Sequence, residues 1–204
     1  MSTMISNADN TYKVTVGNTK GNRYSNATFV KYGYGQVEPN HLSAQRTAQI
    51  YAQLPAKKEI EMLENGQFVK YDYAKKEVNF TGAGEWMLVY NEVKVYLDRD
   101  TDADFAMKKS NYVGRVYNAY GEDMAEGQVM VPRVFKTNIG DIFTTNCVKA
   151  TELAVEDVLV VGDDGYLVNV EDNAGANAGD MKWQVVKVYT LGDGQPAVKI
   201  MRIA

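Results

Sequence analysis

The stretch DVLVVGDDGYLVNV, residues 157–170, decides the fold class of this 204-residue chain. Two short runs of aliphatic and aromatic residues, 158–161 and 166–170, flank the tetrapeptide Gly-Asp-Asp-Gly at 162–165. Glycine and aspartate tolerate the positive φ that a tight turn requires, whereas the flanking runs favour extended backbone. The stretch is therefore predicted to be a β-hairpin.

The same signal of short apolar runs separated by turn residues recurs along the chain. From residue 63 onward about ten strands are predicted, and two more precede them, at 12–16 and 28–34. Besides the two strands of the hairpin, the later ones are 67–73, 77–81, 86–96, 113–117, 128–135, 141–145, 183–190 and 197–203. The near-continuous apolar start of 86–96 indicates a strand at the centre of a sheet. Pro132 places the 128–135 strand at an edge or bulge. We therefore predict a mainly β protein, an antiparallel barrel or sandwich.

One short helix is predicted at residues 40–54. Asn40 is a favourable N-terminal cap, and Pro55 ends the run. The apolar residues form only a weak stripe, so we expect this helix to pack lightly or against another chain.

Composition excludes several classes of protein. Hydrophobic residues make up 45% of the chain and charged residues 24%, values typical of a folded domain and not of a disordered one. No apolar run approaches the roughly 20 residues of a membrane helix, and residues 1–10 lack the pattern of an export signal. Scattered positive charges and a pI of about 5.1 disfavour nucleic-acid binding.

Charge is unevenly distributed along the chain. Residues 1–58 hold seven basic and two acidic side chains, a net +5, which leaves −9 for residues 59–204. The first segment is also rich in Asn, Gly and Tyr. It is interpreted as an extended N-terminal arm, together with the helix, that lies on an acidic partner or on the acidic body of a neighbouring copy. The alternative is an ordinary glycine-rich hairpin of the same domain.

The β-rich body at 59–204 contains phrases that resemble one another. NGQFV at 65–69, IGDIF at 139–143 and VEDVL at 155–159 each place a polar turn before a strand. They indicate either a duplicated module or the repeated use of one kind of turn. A second lobe would begin near 101–110 or 147–155.

Residues suited to catalysis or metal binding are few. His41 is the only histidine and Cys147 the only cysteine, which excludes the usual Cys/His zinc sites and an internal disulfide. His41 is expected on the surface of the first helical turn, and Cys147 in the core. The acidic run at 98–104 is typical of a solvated turn; as a calcium loop it lacks the central glycine and the final glutamate. We predict neither a cofactor nor a metal site.

Four segments carry a resemblance to a known family. They are LPA at 54–56 with LENGQFVKY at 63–71, EWMLVYNE at 85–92, DVLVVGDDGYL at 157–167 and WQVVKVY at 183–189. In these the chain resembles the small structural proteins of tailed bacteriophage heads. The resemblance implies a capsid decoration protein, also called an auxiliary or cement protein, which binds the outer capsid and bridges neighbouring major capsid subunits. It implies no catalytic residues.

The expected function is accordingly adhesion to the major capsid protein lattice, on the virion surface, after assembly in the bacterial host cytoplasm. The chain is predicted to be a homo-oligomer that is not an enzyme and binds neither nucleic acid nor membrane. Core positions are predicted at Trp86, Val89 and Trp183. The predicted partner contacts are basic and tyrosine side chains of the first segment: Lys20, Arg23, Tyr24, Tyr32, Tyr34 and Arg46.

Three other functions stay open. Exposed tyrosines in the first segment, Tyr12 among them, would suit a surface carbohydrate-binding module. A phage tail or baseplate component would assemble into rings in solution. A carboxylate-dependent hydrolase would need two acids facing each other, for which Glu59, Glu61 and Glu64 are candidates.

Overall fold

Strands account for most of the regular structure. The computed structural model describes residues 35–44, 49–91, 106–108, 130–150, 152–172, 181–191 and 194–204. In chain order the strands are β1 (Val37–His41), β2 (Ile50–Tyr51), β3 (Met62–Leu63), β4 (Phe68–Asp72), β5 (Glu77–Asn79), β6 (Trp86–Val89), β7 (Met107–Lys108), β8 (Val134–Phe135), β9 (Ile142–Thr145), β10 (Val148–Lys149), β11 (Val158–Val161), β12 (Leu167–Asn169), β13 (Lys182–Thr190) and β14 (Pro196–Arg202). A 3-10 helix, Val170–Asp172, follows β12. The predicted mainly β fold is confirmed.

The strands form two principal sheets. The larger has seven strands in the order β1-β9-β14-β13-β11-β12-β10, and the smaller has five in the order β2-β8-β6-β4-β5; β3 and β7 pair separately. Neighbours pair antiparallel except for β10 and β12, which are parallel. Over the described residues the sheets do not close into a barrel. Of the two predicted alternatives, the architecture is thus the sandwich.

The two sheets share one hydrophobic core. Phe68 of the smaller sheet lies 5.6 Å from Trp183 and 6.4 Å from Phe143 of the larger sheet, measured between ring centroids. Leu88 and Phe135 join the same cluster from the smaller sheet. Aromatic rings at these separations pack favourably and bury large apolar areas, so this cluster holds the sandwich together.

The smaller sheet is buried on both of its faces. Successive strand residues point to opposite sides, so Phe68 faces the larger sheet while Val69 enters a second cluster with Tyr71, Met87 and Val134. β6 lies at the centre of this sheet, as its apolar sequence predicts. Val89 and Trp183 are core residues as expected, whereas Trp86 is half-buried beneath the ammonium of Lys70.

The hairpin predicted from 157–170 is present. β11 and β12 pair antiparallel around Gly162 and Gly165, whose backbones are hydrogen-bonded at 2.9 Å. Gly165 has a φ of 82°, and a Cβ there would lie 2.1 Å from the carbonyl oxygen of Phe68. Both the turn and the close approach of the smaller sheet therefore require glycine.

The predicted helix at 40–54 is wrong over most of its length. Asn40 and His41 lie in β1, which pairs with β9, and Ile50 begins β2. The Asn40 side chain accepts a hydrogen bond from the Thr144 hydroxyl (2.9 Å) and caps no helix. Pairing with a strand about a hundred residues later overrides the local helical signal. A helical conformation is described at Ala44 alone, since residues 45–48 lie outside the described chain.

Two predicted strands are shorter than expected. β8 begins after Pro132 and lies second from the edge, so the proline is neither in an edge strand nor in a bulge. The strand predicted at 86–96 ends at Val89, and residues 92–96 lie outside the described chain. Conversely, β2, β3, β7 and β10 are two residues long, too short to show a period in sequence.

Strands assigned to different predicted domains pair with one another in the two sheets. β1 and β2, assigned to the arm ending at residue 58, are strands of the larger and the smaller sheet. The predicted boundary at 147–155 separates β10 from β11, which belong to the same sheet. The chain continues from the larger sheet to the smaller one between β1 and β2, and back to the larger sheet between β8 and β9. Long-range strand pairing, which composition does not reveal, determines these passages.

Several predictions fall on residues outside the described chain. They are the strands at 12–16, 28–34 and 113–117, the acidic run at 98–104, and the arm over residues 1–34.

Candidate contact sites

None of the six predicted contact residues belongs to the described chain. Lys20, Arg23, Tyr24, Tyr32 and Tyr34 fall within residues 1–34, and Arg46 falls within 45–48. The exposed aliphatic residues that the structure does describe lie on or beside a turn that the chain repeats.

Three turns, at 64–67, 138–141 and 154–157, share one pattern of hydrogen bonds. In each, the backbone N–H of the fourth residue donates to the carbonyl oxygen of the first, at 3.2, 3.0 and 3.3 Å respectively. The side-chain oxygen of the fourth residue also accepts from the backbone N–H of the first, at 2.9, 2.9 and 2.7 Å. The fourth residue is Gln67, Asp141 or Asp157. These are the three phrases whose resemblance is visible in the sequence.

The third residue of each turn has a positive φ. The values are 96° for Gly66, 90° for Gly140 and 79° for Glu156. This conformation is typical of a type II turn, in which glycine is favoured at the third position. Glu156 adopts it with a side chain and is therefore strained.

Each turn is fastened to a neighbouring strand in the same way. The N–H of the third residue donates to a strand carbonyl, and the strand N–H donates back to the carbonyl of the fourth residue. The strand residue is Val89 for the first turn (2.9 and 2.7 Å), Arg202 for the second (2.8 and 2.9 Å) and Val185 for the third (2.8 and 2.8 Å). Four hydrogen bonds therefore hold each turn in one conformation.

The second and third turns present exposed aliphatic side chains. Ile139, at the second position of its turn, is 72% exposed, and Ile203, which follows Arg202, is 38% exposed. Val155 and Val186 hold the equivalent positions and are 55% and 41% exposed. We call these two the Ile139–Ile203 pair and the Val155–Val186 pair. They account for four of the five large hydrophobic residues that are exposed in the described chain.

The two pairs extend toward opposite ends of the larger sheet. Ile142 and Val158, which follow the two turns, lie in one row of the sheet through Met201 and Gln184. Three successive antiparallel pairings separate β9 from β11, so these two strands run in opposite directions. Because each turn precedes its strand, the turns leave the shared row in opposite directions.

Both pairs have charged neighbours. Lys182 and Arg202 flank Ile203, and the backbone N–H of Ile203 donates to the carbonyl oxygen of Lys182 (2.9 Å). Glu152 and Glu156, both exposed, lie on either side of Val155 in sequence. Lys187 follows Val186, with its ammonium 5.4 Å from the ring centroid of Tyr189.

The 138–141 turn has further support from a buried carboxylate. Asp141, 1% exposed, accepts hydrogen bonds from the backbone N–H and the hydroxyl of Ser43 (2.9 and 3.0 Å). Asn138 donates through its side chain to the Ser43 hydroxyl (2.6 Å) and to Gln49 (2.9 Å). Ile139 is thus carried on a rigid base.

The 64–67 turn is buried between the sheets instead. The Tyr166 hydroxyl donates to one oxygen of the Glu64 carboxylate (2.6 Å), and the N–H of Gly35 donates to the other (3.1 Å). The Gln67 amide donates to the carbonyl oxygen of Asp164 (3.0 Å). A Cβ on Gly66 would lie 2.5 Å from Cβ of Cys147. We call Gly35, Glu64, Gln67, Asp164 and Tyr166 the Glu64 cluster; it fastens the smaller sheet to the larger one.

The candidate residues for catalysis and metal binding lie in different parts of the structure. Glu59 and Glu61 are exposed whereas Glu64 is completely buried, so the three carboxylates do not share one surface. Cys147 is a buried thiol, as predicted. His41 is exposed as expected, although in β1 and not in a helix. Among the described residues, no group of three His, Cys, Asp or Glu side chains is arranged to hold a metal ion.

The three sequence phrases identify the turns but do not indicate which of them is exposed. The resemblance of the three phrases carried the signal, since glycine or a polar residue precedes Gln or Asp at each turn. Which turn is exposed depends on the sheet that covers it, and no feature of the phrases reports that.

Comparison with protein-family models, with curated proteins and with solved structures finds no match to this chain. In the described part of the chain, no helix has the length and apolar character needed to cross a membrane.

Proposed function

We propose that this chain is a non-enzymatic structural protein, a bacteriophage capsid decoration protein that binds the outer capsid lattice and bridges neighbouring subunits. The observation that carries the proposal is the placement of the Ile139–Ile203 and Val155–Val186 pairs toward opposite ends of one sheet. A body with two such contact points touches two neighbours at the same time, which is what bridging requires.

The rigidity of the turns suits this role. A contact residue on a pre-formed turn loses little conformational entropy on binding. Exposed aliphatic side chains gain from leaving water, and clusters of them on a folded protein mark interaction surfaces. Each contact is small, but many copies on one lattice add their affinities through avidity.

The basic first segment supplies the proposed contact with the capsid. Its net charge of +5 favours an acidic surface, and Lys20, Arg23, Tyr24, Tyr32, Tyr34 and Arg46 are the proposed contact residues. On this proposal the protein is located on the virion surface and is assembled in the bacterial host cytoplasm.

The test uses virions that lack the gene. We expect them to lose infectivity faster than wild-type virions on heating or in low salt with chelator, and we expect added recombinant protein to restore survival. As a control, recombinant Tyr73→Glu should restore survival as the wild type does; in the described chain Tyr73, directly after β4, is the one exposed large hydrophobic residue outside the two pairs (66% exposed). Unchanged survival of the gene-deleted virions contradicts the proposal.

A carbohydrate-binding module is the second candidate. The Tyr73 ring is tilted against that of Tyr71 with the centroids 5.6 Å apart, and Tyr71 in turn contacts Tyr51 at 5.5 Å. An exposed ring at the end of such a row offers a flat face to a sugar. Binding on a glycan array that is lost in Tyr73→Ala would favour this function over capsid decoration.

A further inference from the structure

A β-bulge in β13 brings two lysines together on one face of the larger sheet. Val185 pairs with Ile200 and Lys187 pairs with Lys199, so Val186 is an extra residue between the two pairs. Val185 points into the core, and without the bulge Lys187, two residues later, would point the same way. The extra residue turns Lys187 to the face that points away from the smaller sheet, the outer face, where it lies beside Lys199.

The two lysines form a patch of positive charge without a carboxylate partner. Both ammonium groups lie over the ring of Tyr189, at 5.4 and 5.8 Å from its centroid. Like charges directly opposite each other in a sheet repel, and a neutral ring attracts each ammonium only weakly. In the described chain neither Lys187 nor Lys199 has a carboxylate within ion-pair distance, although the turn that carries Glu156 is fastened to the same strand. An anion from outside the sheet would relieve the repulsion.

An exposed aliphatic side chain adjoins this patch. Val186, the bulged residue, is 41% exposed, and Lys187 directly after it is exposed as well. A polypeptide supplies carboxylates and aliphatic side chains within two or three residues, whereas a polysaccharide or a nucleic acid supplies anions without aliphatic side chains. The net charge of −9 on residues 59–204 also repels an extended polyanion. The combination of lysines and valine therefore favours an acidic segment of a protein as the partner.

We propose that Val186, Lys187, Tyr189 and Lys199 form a docking site for an acidic segment of a partner protein. Carboxylates of the segment bind the two ammonium groups, and an aliphatic side chain packs on Val186. We call these four residues the Lys187 site. The inference rests on the proposed function for its setting, and it adds a second contact with the capsid: an acidic segment of the capsid surface lies against the outer face of the larger sheet.

The experiment titrates the isotope-labelled full chain with the blocked pentapeptide Ala-Glu-Leu-Glu-Ala and follows the backbone amide shifts by NMR. We expect the amides of β13 and β14 around the Lys187 site to move, with a dissociation constant of about 1 mM at low ionic strength. Because the ion pairs are exposed, added salt should weaken binding. The peptide Ala-Gln-Leu-Gln-Ala lacks the carboxylates and should leave these amides unchanged.

Variants test the assignment of the site. Lys187→Gln and Lys199→Gln should each weaken binding of the acidic peptide at least about threefold, and Val186→Ser about twofold. Lys75→Gln is the matched control, since it removes the same charge from an exposed ammonium that pairs with Asp72 at 3.7 Å on the smaller sheet. It should bind the peptide like the wild type. Circular dichroism verifies that each variant is folded, as expected for side chains that point away from the core.

Several outcomes would overturn the inference. One is the absence of amide shifts up to about 10 mM peptide, and another is binding that stays unchanged in the two lysine variants. Inorganic phosphate that moves the same amides as strongly as the peptide would show a site for any small anion. A heparin fragment that binds there more tightly than the peptide would show a site for an anionic polysaccharide.

These measurements need no capsid, so they are separable from virion survival. Peptide binding at the Lys187 site together with unchanged survival of the gene-deleted virions would contradict the proposed function and support the docking site. Reduced survival of those virions without peptide binding would contradict the docking site alone.

Discussion

The segments 64–89 and 154–185 are built to the same plan and placed in different surroundings. Each begins with the same turn, continues into a strand that lies between two others, and returns to the turn through Val89 or Val185. In the first segment the turn is buried between the sheets, and in the second it is exposed. One local structure therefore fastens two sheets in one place and is exposed to solvent in another.

The buried faces of the two segments also correspond. Val69 and Met87 occupy the positions of Leu159 and Trp183, but the former lie in the second hydrophobic cluster and the latter in the core between the sheets. Leu159 and Trp183 lie on the face of the larger sheet that the smaller sheet covers. Val69 and Met87 lie on the face of the smaller sheet that points away from the larger one. This arrangement explains why the smaller sheet is apolar on both faces and the larger sheet is not.

The largest expected effect is a difference in stability between substitutions at Gly66 and Gly140, which have the same backbone conformation. Gly66→Ala introduces a methyl group 2.5 Å from Cβ of Cys147 and 2.6 Å from the Thr145 hydroxyl, in addition to the strain of positive φ. We expect it to lower the free energy of unfolding by about 3 kcal/mol or more. Gly140→Ala meets no atom within 4 Å and should cost only about 1 kcal/mol. Urea denaturation measures both, and equal losses would contradict the tight packing of the 64–67 turn.

The next effect concerns the Glu64 cluster. Tyr166→Phe removes the hydroxyl that donates to the buried Glu64 carboxylate and keeps the ring beneath the Lys149 ammonium. Leaving a buried acceptor with one donor fewer should cost about 2 kcal/mol in the free energy of unfolding. Tyr73→Phe, at an exposed position, is the matched control and should change stability by less than about 0.5 kcal/mol. A Tyr166→Phe variant as stable as the control would show that the cluster does not fasten the sheets.

A smaller effect, an increase in stability, is expected at the exposed turn at 154–157. Glu156 adopts a φ of 79°, which glycine adopts without the cost of about 1–2 kcal/mol that a side chain brings. Since glycine also loses about 0.5–1 kcal/mol more conformational entropy on folding, Glu156→Gly should stabilise the protein by about 0.5 kcal/mol. Glu152→Gly, at an exposed residue outside the positive-φ region, should not stabilise. Thermal unfolding compares the two, and destabilisation by Glu156→Gly would contradict the assigned turn conformation.

The smallest effect appears at alkaline pH and concerns Tyr90, which holds the position equivalent to Ile203 and Val186. Burial raises the pKa of Tyr90 above its ordinary value of 10.0, against the opposing influence of Arg133. Above that pH the unfolded chain loses this proton before the folded one, so stability that is present below pH 10 is lost as the pH rises through the folded pKa. Tyr90→Phe should therefore show a shallower decline in stability from pH 9 to pH 11, measured by urea denaturation. The two curves would be parallel if Tyr90 were as accessible as its two counterparts.

The sequence alone predicts the elements whose signals are local. β4, β5, β9 and β11 to β14 follow from the alternation of apolar residues, and the turn at 162–165 follows from its glycines, because both depend only on near neighbours in the chain. The resemblance among NGQFV, IGDIF and VEDVL likewise reports a shared turn, since the hydrogen bonds that form it lie within four residues.

The tertiary structure decides everything that depends on distant partners. Pro39 and Asn40 lie in a strand and not in a helix because Phe143 and Thr144 pair with that segment from the other end of the chain. The same long-range contacts bury Asn65 and leave Ile139 and Val155 exposed, although the three residues occupy one position of one turn. Local chemistry specifies the shape of a turn, but the burial of its side chains is determined by the sheet that packs against it.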